Sequence, residues 1–380
     1  MITTVGRYAS RSLASHLLMT LLGCVALLEL LDLLNNADDV IARHGNHLSA
    51  LAKYAGLRLP DQASFILPFA ALIAALLTLA KFARDNEILA LKASGLSFYR
   101  LLSTLIPVGL VIGGLHFLLS DQVVPRTARA LQTWDANAEA DIMGASGDPA
   151  PAGAGVVQLS PPPGAAAQPG IWVRDSNSFI HIDTILNEGA DLRGLTIFER
   201  GPTFILEQRI KAKRAVYLDK RWTLTDVEVL EIGAGQSRKP TQYFQLPWKT
   251  SLTPNHLVDL AADPATLSLG DVWRFAARPD VGSRPVDFYE TWLQRKIAVP
   301  LTTLLMILLA APVAQGLQRH GGIGAGLAVG VGLGFLYFVA EGLLLTLGET
   351  GVIPPTVAAW SPMLLFAAVG VGALLRIEGY

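Results

Sequence analysis

A carboxylate or imidazole inside an apolar run is costly to keep, so each one asks for a chemical reason. Glu29 and Asp32 close the first long apolar run, and Glu341 lies inside the fifth. Such groups face a cavity or a protein interface, or sit close enough to a boundary to reach water. All three stand near the outer end of their runs, so both readings apply. His16 and His116 are solitary, with no second ligand at metal spacing, which reads as hydrogen bonding at an interface or within a bundle. Gly322, Gly326, Gly330 and Gly334 recur every fourth residue and form one smooth helical ridge that another backbone can approach. The ridge serves packing within the chain, an interface with a second subunit, or a gate where helices slide. Glu341 follows Gly334 by two helical turns, on much the same face.

The other chemistry-bearing stretch is DNEILALKASGLS, residues 85–97, set between two apolar runs free of Asp, Glu, Lys and Arg. A tight turn would need only a few polar residues. Here the spacing predicts a short amphipathic helix: Ile88 and Leu91 are i, i+3, while Leu89, Ala93 and Leu96 continue the apolar stripe. Asp85 and Glu87 fall at its N-terminal end, where the helix dipole favours negative charge. Gly95 suits its stop, and Ser97 suits the cap of the next helix. A helix lying on lipid would carry Lys and Arg on its polar face. An acid-led one fits docking to a protein partner.

Catalytic motifs are missing. No G-x-x-x-x-G-K-[ST], H-E-x-x-H, C-x-x-C or G-x-S-x-G occurs, so no catalytic residue, metal site or cofactor is expected. The glycines at 321–334 follow no strand, which argues against a dinucleotide fingerprint. Net charge is −1, against a nucleic-acid binder, and Cys24 is the single cysteine.

These residues must be positioned by membrane helices. The chain of 380 residues is 51% hydrophobic and only 16% charged, where a soluble chain carries about 25%. Six segments are long enough to span: about 12–34, 62–82, 101–120, 297–318, 321–345 and 355–375. The first reads as a retained signal anchor. With the N-terminus inside, Arg7, Arg11, Lys81, Arg84, Lys92, Arg100, Arg319 and Arg376 lie on the inner side. Only Arg43, Lys53 and Arg58 lie on the outer side, which places both termini in the cytoplasm and the large middle segment outside.

The middle changes period. Residues 125–143 read as a helix continuing the third span, and the Gly/Ala/Pro-rich stretch 144–169 as a mobile loop. Strands are expected at 171–175, 178–183, 194–199, 203–209, 214–218, 222–231 and 242–247. The fold class is thus an α-helical membrane protein with six transmembrane helices, three plus three, and an all-β, jelly-roll-like outer domain between helices three and four. The divisions fall at 1–124, 125–290 and 291–380, with the acid-led helix at 85–95 in the first.

EILALKASGLS between spans two and three resembles the coupling segment of the LptF/LptG (YjgP/YjgQ) lipopolysaccharide-export permeases. GIWVRDSNSFIHID at 170–183, WKTSLTPNHL at 248–257, DPATLSLGDV at 263–272 and GVIPPTVAAWSP at 351–362 match in order and spacing. The WKT-LTP and IPP stretches are closer to the LptG side of the family. The resemblance implies one half of a heterodimer with an LptF-like subunit, in the inner membrane of a Gram-negative bacterium. With an LptB ATPase dimer at its cytoplasmic face, it would extract lipopolysaccharide and pass it to LptC and a β-jelly-roll bridge. It implies that Asp85, Glu87, Ile88, Leu89 and Leu91 meet the ATPase, with Glu87 at the position of the family's contacting acid. It also implies that spans one and five line the lipid cavity and its gates, which makes Glu29, Asp32 and Glu341 cavity candidates. Where the family carries lysines suited to lipid phosphates, this chain has Glu29 and Asn35-Asn36 flanking Asp32. Two other classes stand beside this reading. An ion-coupled transporter would titrate Glu341, Glu29 and His116, and a non-transporting membrane scaffold would need no coupling helix.

Overall fold

A computed structural model describes residues 2–45, 48–85, 87, 98–145, 156–157, 170–186, 189–203, 205–233, 236–237, 239–278, 280–320 and 323–378. Most of the Gly/Ala/Pro-rich stretch expected to be a mobile loop lies outside them. Among the described residues, six helices are long and apolar enough to cross a membrane. They are α1 (Ile2–His44), α2 (Leu48–Arg84), α3 (Phe98–Leu118), α7 (Val286–His320), α8 (Ile323–Glu349) and α9 (Pro355–Glu378). The third runs through a π-helical turn at Leu119–Val123 into α4 (Val124–Ala145). The chain divides into two compact units: residues 1–36, 58–125 and 290–380 form the first, and 37–57 with 126–289 the second.

In the helical unit, α2 and α7 supply the centre. Their most apolar windows are 61% and 56% buried, against 6% for α1 and 17% for α8. Alanines make this possible. Ala71, Ala74 and Ala75 on α2, with Ala310 and Ala311 on α7, are buried in one core with Leu72, Leu79, Met306 and Ile307. Small side chains let helix backbones come close where lipid offers no hydrophobic drive for association. A Cβ on Gly113 of α3 would come within 2.7 Å of the Pro300 carbonyl oxygen on α7. His116, one turn on, is fully buried. Its Nδ1 lies 2.8 Å from Thr303 Oγ1 and its Nε2 3.3 Å from Ser64 Oγ, so one imidazole joins α3, α7 and α2. His16 makes a similar contact from α1, 2.9 Å from Thr78 Oγ1 on α2.

The second unit is built on one antiparallel sheet. Its strands are β1 (Val156–Val157), β2 (Ile171–Asp175), β3 (Ser178–Leu186), β4 (Asp191–Arg200), β5 (Leu206–Leu218), β6 (Arg221–Gly233), β7 (Gln236–Ser237), β8 (Thr241–Trp248) and β9 (Val281–Gly282). From β2 to β6 each strand pairs with the next, and β8 pairs back onto β6. A regular strand buries every second residue. Here the buried set skips an extra residue at one level: Ile182 to Ile185 on β3, Leu192 to Leu195 on β4, Ala212 to Ala215 on β5, and Leu224 to Val227 on β6. The pairing register puts the skipped residues Asp183, Gly194, Lys213 and Asp226 opposite one another in a row that ends at Phe244 on β8. Gly194 and Asp226 adopt φ of +63° and +52°, and Lys213 Nζ lies 3.4 Å from Asp226 Oδ2. A coherent kink of this kind curves a sheet without breaking its register. It also corrects one expectation. Of the strands expected at 203–209 and 214–218, residues 206–209 and 214–218 belong to the single strand β5, whose alternation changes phase at the kink.

Two short helices, α5 (Pro254–Ala261) and α6 (Leu269–Ala276), join this sheet; the strand pattern gave no notice of them. Leu257 and Val272 from them are fully buried. A charged network fixes them to α4: Arg129 donates to Asp259 Oδ1 at 3.2 Å and to Asp271 Oδ2 at 2.9 Å, and Arg274 also donates to Asp271. Burial raises the Asp259 carboxyl above its ordinary range. Burial pulls Asp271 the same way, but hydrogen bonds from Ser268 and Arg274 outweigh it and hold that carboxyl low. His256 is depressed by burial and by the neighbouring Arg274 and Arg278.

Two outcomes follow. Gly113→Ala lowers the thermal midpoint of the chain in detergent, at an overpacking cost of about 1–3 kcal/mol. Gly114→Ala, whose Cβ meets nothing within 4 Å, does not lower it. The second concerns pH. Because the folded His256 binds its proton less readily than the unfolded one, unfolding takes up a proton as pH falls through the ordinary histidine range. Stability is therefore fully present above that range and lost below it. His256→Asn removes this share of the loss between pH 7.5 and 5.5, read as a smaller drop in thermal midpoint over that interval.

Candidate functional site

The described part of the acid-led segment continues the end of α2. The Asp85 amide donates to the Lys81 carbonyl at 3.0 Å, extending the last turn. Asp85 itself lies 3.7 Å from the exposed Arg84. Glu87 accepts a hydrogen bond on Oε1 from Tyr8 Oη at 2.9 Å, and the Tyr8 ring stacks on Phe82 with centroids 5.6 Å apart. Ile88, Leu89 and Leu91 lie outside the described residues. Tyr8 carried no local signal, because it meets Glu87 from 79 positions away.

The acids of the first span are brought together with the start of α2. Asp32 Oδ1 accepts from Arg58 Nη2 at 3.4 Å and from Asn36 Nδ2 at 3.1 Å, and Arg58 reaches Asp61 at 3.6 Å. Both Glu29 carboxylate oxygens and Gln62 Oε1 are buried with no hydrogen-bond partner in the structure. The sequence flagged Glu29 and Asp32. It gave Arg58 only as a charge for orientation, and Gln62 not at all.

Glu341 has different company. Its Oε1 accepts from Arg295 Nε on α7 at 3.0 Å, with side chains 14% and 23% exposed. The Arg295 guanidinium stands 5.0 Å over the Trp292 ring. Trp292 Nε1 donates to Glu349 at 2.6 Å, and Trp360 Nε1 donates to Gln294 at 3.0 Å. These contacts bind α7, α8 and α9 at one level. Removing either ion alone would strand the other in low dielectric. Arg295 stands just before the fourth apolar run, where only its i, i+4 and tertiary neighbours could have exposed its role.

Of the glycine ridge, Gly322 lies outside the described residues, and Gly326, Gly330 and Gly334 are buried. A Cβ on Gly330 would collide with Leu76, and one on Gly334 would come within 2.8 Å of Phe69 and 3.0 Å of Leu72. That face of α8 packs on α2 of the same chain. Gly324 and Gly332, off the ridge, meet nothing within 4 Å. The opposite face of α8 exposes Phe335, Leu336 and Leu343. On α1, Leu18, Met19 and Leu22 are likewise exposed. Like α3 and α9, whose Leu115 and Leu365 are also exposed, these two helices keep apolar faces uncovered, which for a membrane helix means lipid or another subunit.

Comparison with known proteins places this arrangement. The model of the family described as "Lipopolysaccharide export system permease LptF/LptG" matches residues 7–376. Lipopolysaccharide export system permease protein LptG of Escherichia coli strain K12 is 24% identical over 372 residues, 97% of each chain. The protein of the same description from Haemophilus influenzae is 24% identical over 374 residues, 96% of each. The match takes in all six apolar helices and the sheet between the third and fourth, so the chain belongs to the LptF/LptG family of lipopolysaccharide export permeases.

Proposed function

We propose that this chain is the LptG-type permease subunit of an ATP-driven exporter that lifts lipopolysaccharide out of the inner membrane of a Gram-negative bacterium. The observation that carries the reading is the contrast in burial among its spans. α1 buries only 6% of its apolar window and α8 17%, while α2 and α7 form a closed centre. An amphiphile with several acyl chains needs such apolar walls, and an LptF-like second subunit would complete them. The chain does no chemistry itself. The energy comes from a separate LptB-type ATPase, which docks on the cytoplasmic face at Asp85, Glu87 and the stripe of Ile88, Leu89 and Leu91. Closure of that ATPase on nucleotide shifts the coupling segment, narrows the space between α1, α8 and the second subunit, and drives lipid outward. The sheet domain, on the periplasmic side, receives it and hands it to LptC and a β-jelly-roll bridge. Two discrete arrangements of the spans, biased by nucleotide at a distant subunit, are what this mechanism requires.

Glu87 tests the docking. Reversing its charge puts a cation where an acid is needed, so Glu87→Lys lowers recovery of the ATPase with the membrane subunits by about tenfold, equivalent to about 1.4 kcal/mol. Lipid release from proteoliposomes falls with it. Recovery and release at wild-type levels would falsify the assignment.

A further inference from the structure

We infer that Tyr8 is a positioning residue that couples the first span to the segment carrying Glu87, so that α1 moves when that segment does. The inference rests on the docking role proposed above for Glu87 and adds the route from there into the membrane. Its starting point is the hydrogen bond from Tyr8 Oη to Glu87 Oε1 at 2.9 Å. The donor is aimed, because the Tyr8 ring stacks at 22° to Phe82, which is 2% exposed in the last turns of α2. The hydroxyl and the ring therefore hold the same stretch of chain from two sides, one polar and one apolar.

The attachment of α1 shows why this end matters. The helix enters the apolar core through Ala9 and Leu13, with Leu17 and Leu21 at its edge, and His16 adds the contact to Thr78. All lie within four turns of Tyr8. Past them α1 turns Leu22, Leu27, Leu30 and Leu34 outward. The helix is held again further on, where Val25 is buried and Asp32 accepts from Arg58, so Tyr8 marks the held end nearest Glu87. Tyr8 joins that end to the acid where an external motor would act. The carboxylate has a second oxygen, so Glu87 can keep Tyr8 on Oε1 and offer Oε2 to a cationic partner.

Cys24 gives a direct readout, since it is the single cysteine of the chain, lies on α1 and is partly exposed. The experiment uses the whole complex in nanodiscs, with the cysteines of the other subunits replaced and a spin label on Cys24. In the wild type the label's signal changes when nucleotide binds the ATPase. Tyr8→Phe keeps the ring stacking and removes the donor. It is expected to cut that change by about threefold or more, with lipid released per ATP falling in parallel, while the ATPase still co-purifies. An unchanged label response and unchanged release in Tyr8→Phe overturn the inference, as does a wild-type label that ignores nucleotide. A different result, full recovery of the ATPase with Glu87→Lys, overturns the docking reading beneath it.

Discussion

Inside a bilayer a polar side chain has only other protein groups to answer it, and the helical unit is organised around that demand. His116 is satisfied on both ring nitrogens by hydroxyls from two other helices. Thr302 meets Tyr337 at 3.0 Å, and Arg295 meets Glu341 at the same distance. Each pair is worth little alone, about 0.6 kcal/mol on average for hydrogen bonds between membrane helices. Their value is specificity, because an apolar helix face can rotate or slide against another with small loss. A buried imidazole that must find Thr303 and Ser64 at once cannot. α2 and α7 carry most of these partners, and they are also the helices with the alanine-rich, close-packed faces. α1 is the least buried of the spans, with 6% of its apolar window buried.

The sheet domain solves an opposite problem. A long antiparallel sheet in water has two faces, and one must be covered. The aligned kink at Asp183, Gly194, Lys213 and Asp226 curves four strands together and keeps Ile182, Ile185, Leu192, Leu195, Ala212, Ala215, Leu224 and Val227 buried on either side of it. Only Gly194 has no side chain to place at that bend, where a Cβ would strike the Asp183 carboxylate. At this kink positive φ falls on a glycine and an aspartate, residue types that tolerate it well.

What could be read from the sequence follows from the range of each interaction. The six spans were legible because about twenty consecutive apolar residues are a local property. The paired strands β2 and β3 were legible from alternation and a Ser-Asn turn. The fused strand β5 was not, because a change of phase looks the same as a turn when the neighbouring strands are unknown. α5 and α6 had local markers that strand periodicity overshadowed: Pro254 at a first helical position, and the capping box from Ser268 to Asp271. The partners of the candidate groups were out of reach. His116 finds Thr303 from 187 positions away, and no short window contains both.

The acid end of α1 is where resemblance and residues part. The family's pattern implies lysines placed for lipid phosphates, but the charges gathered here are the carboxylates of Glu29, Asp32 and Asp61 around the one guanidinium of Arg58. Arg58 is already engaged by two of them. A phosphate brought directly to this place would meet net repulsion, strengthened by the low dielectric around the buried Glu29 oxygens. A phosphate at this end of α1 would need a cation beside these carboxylates.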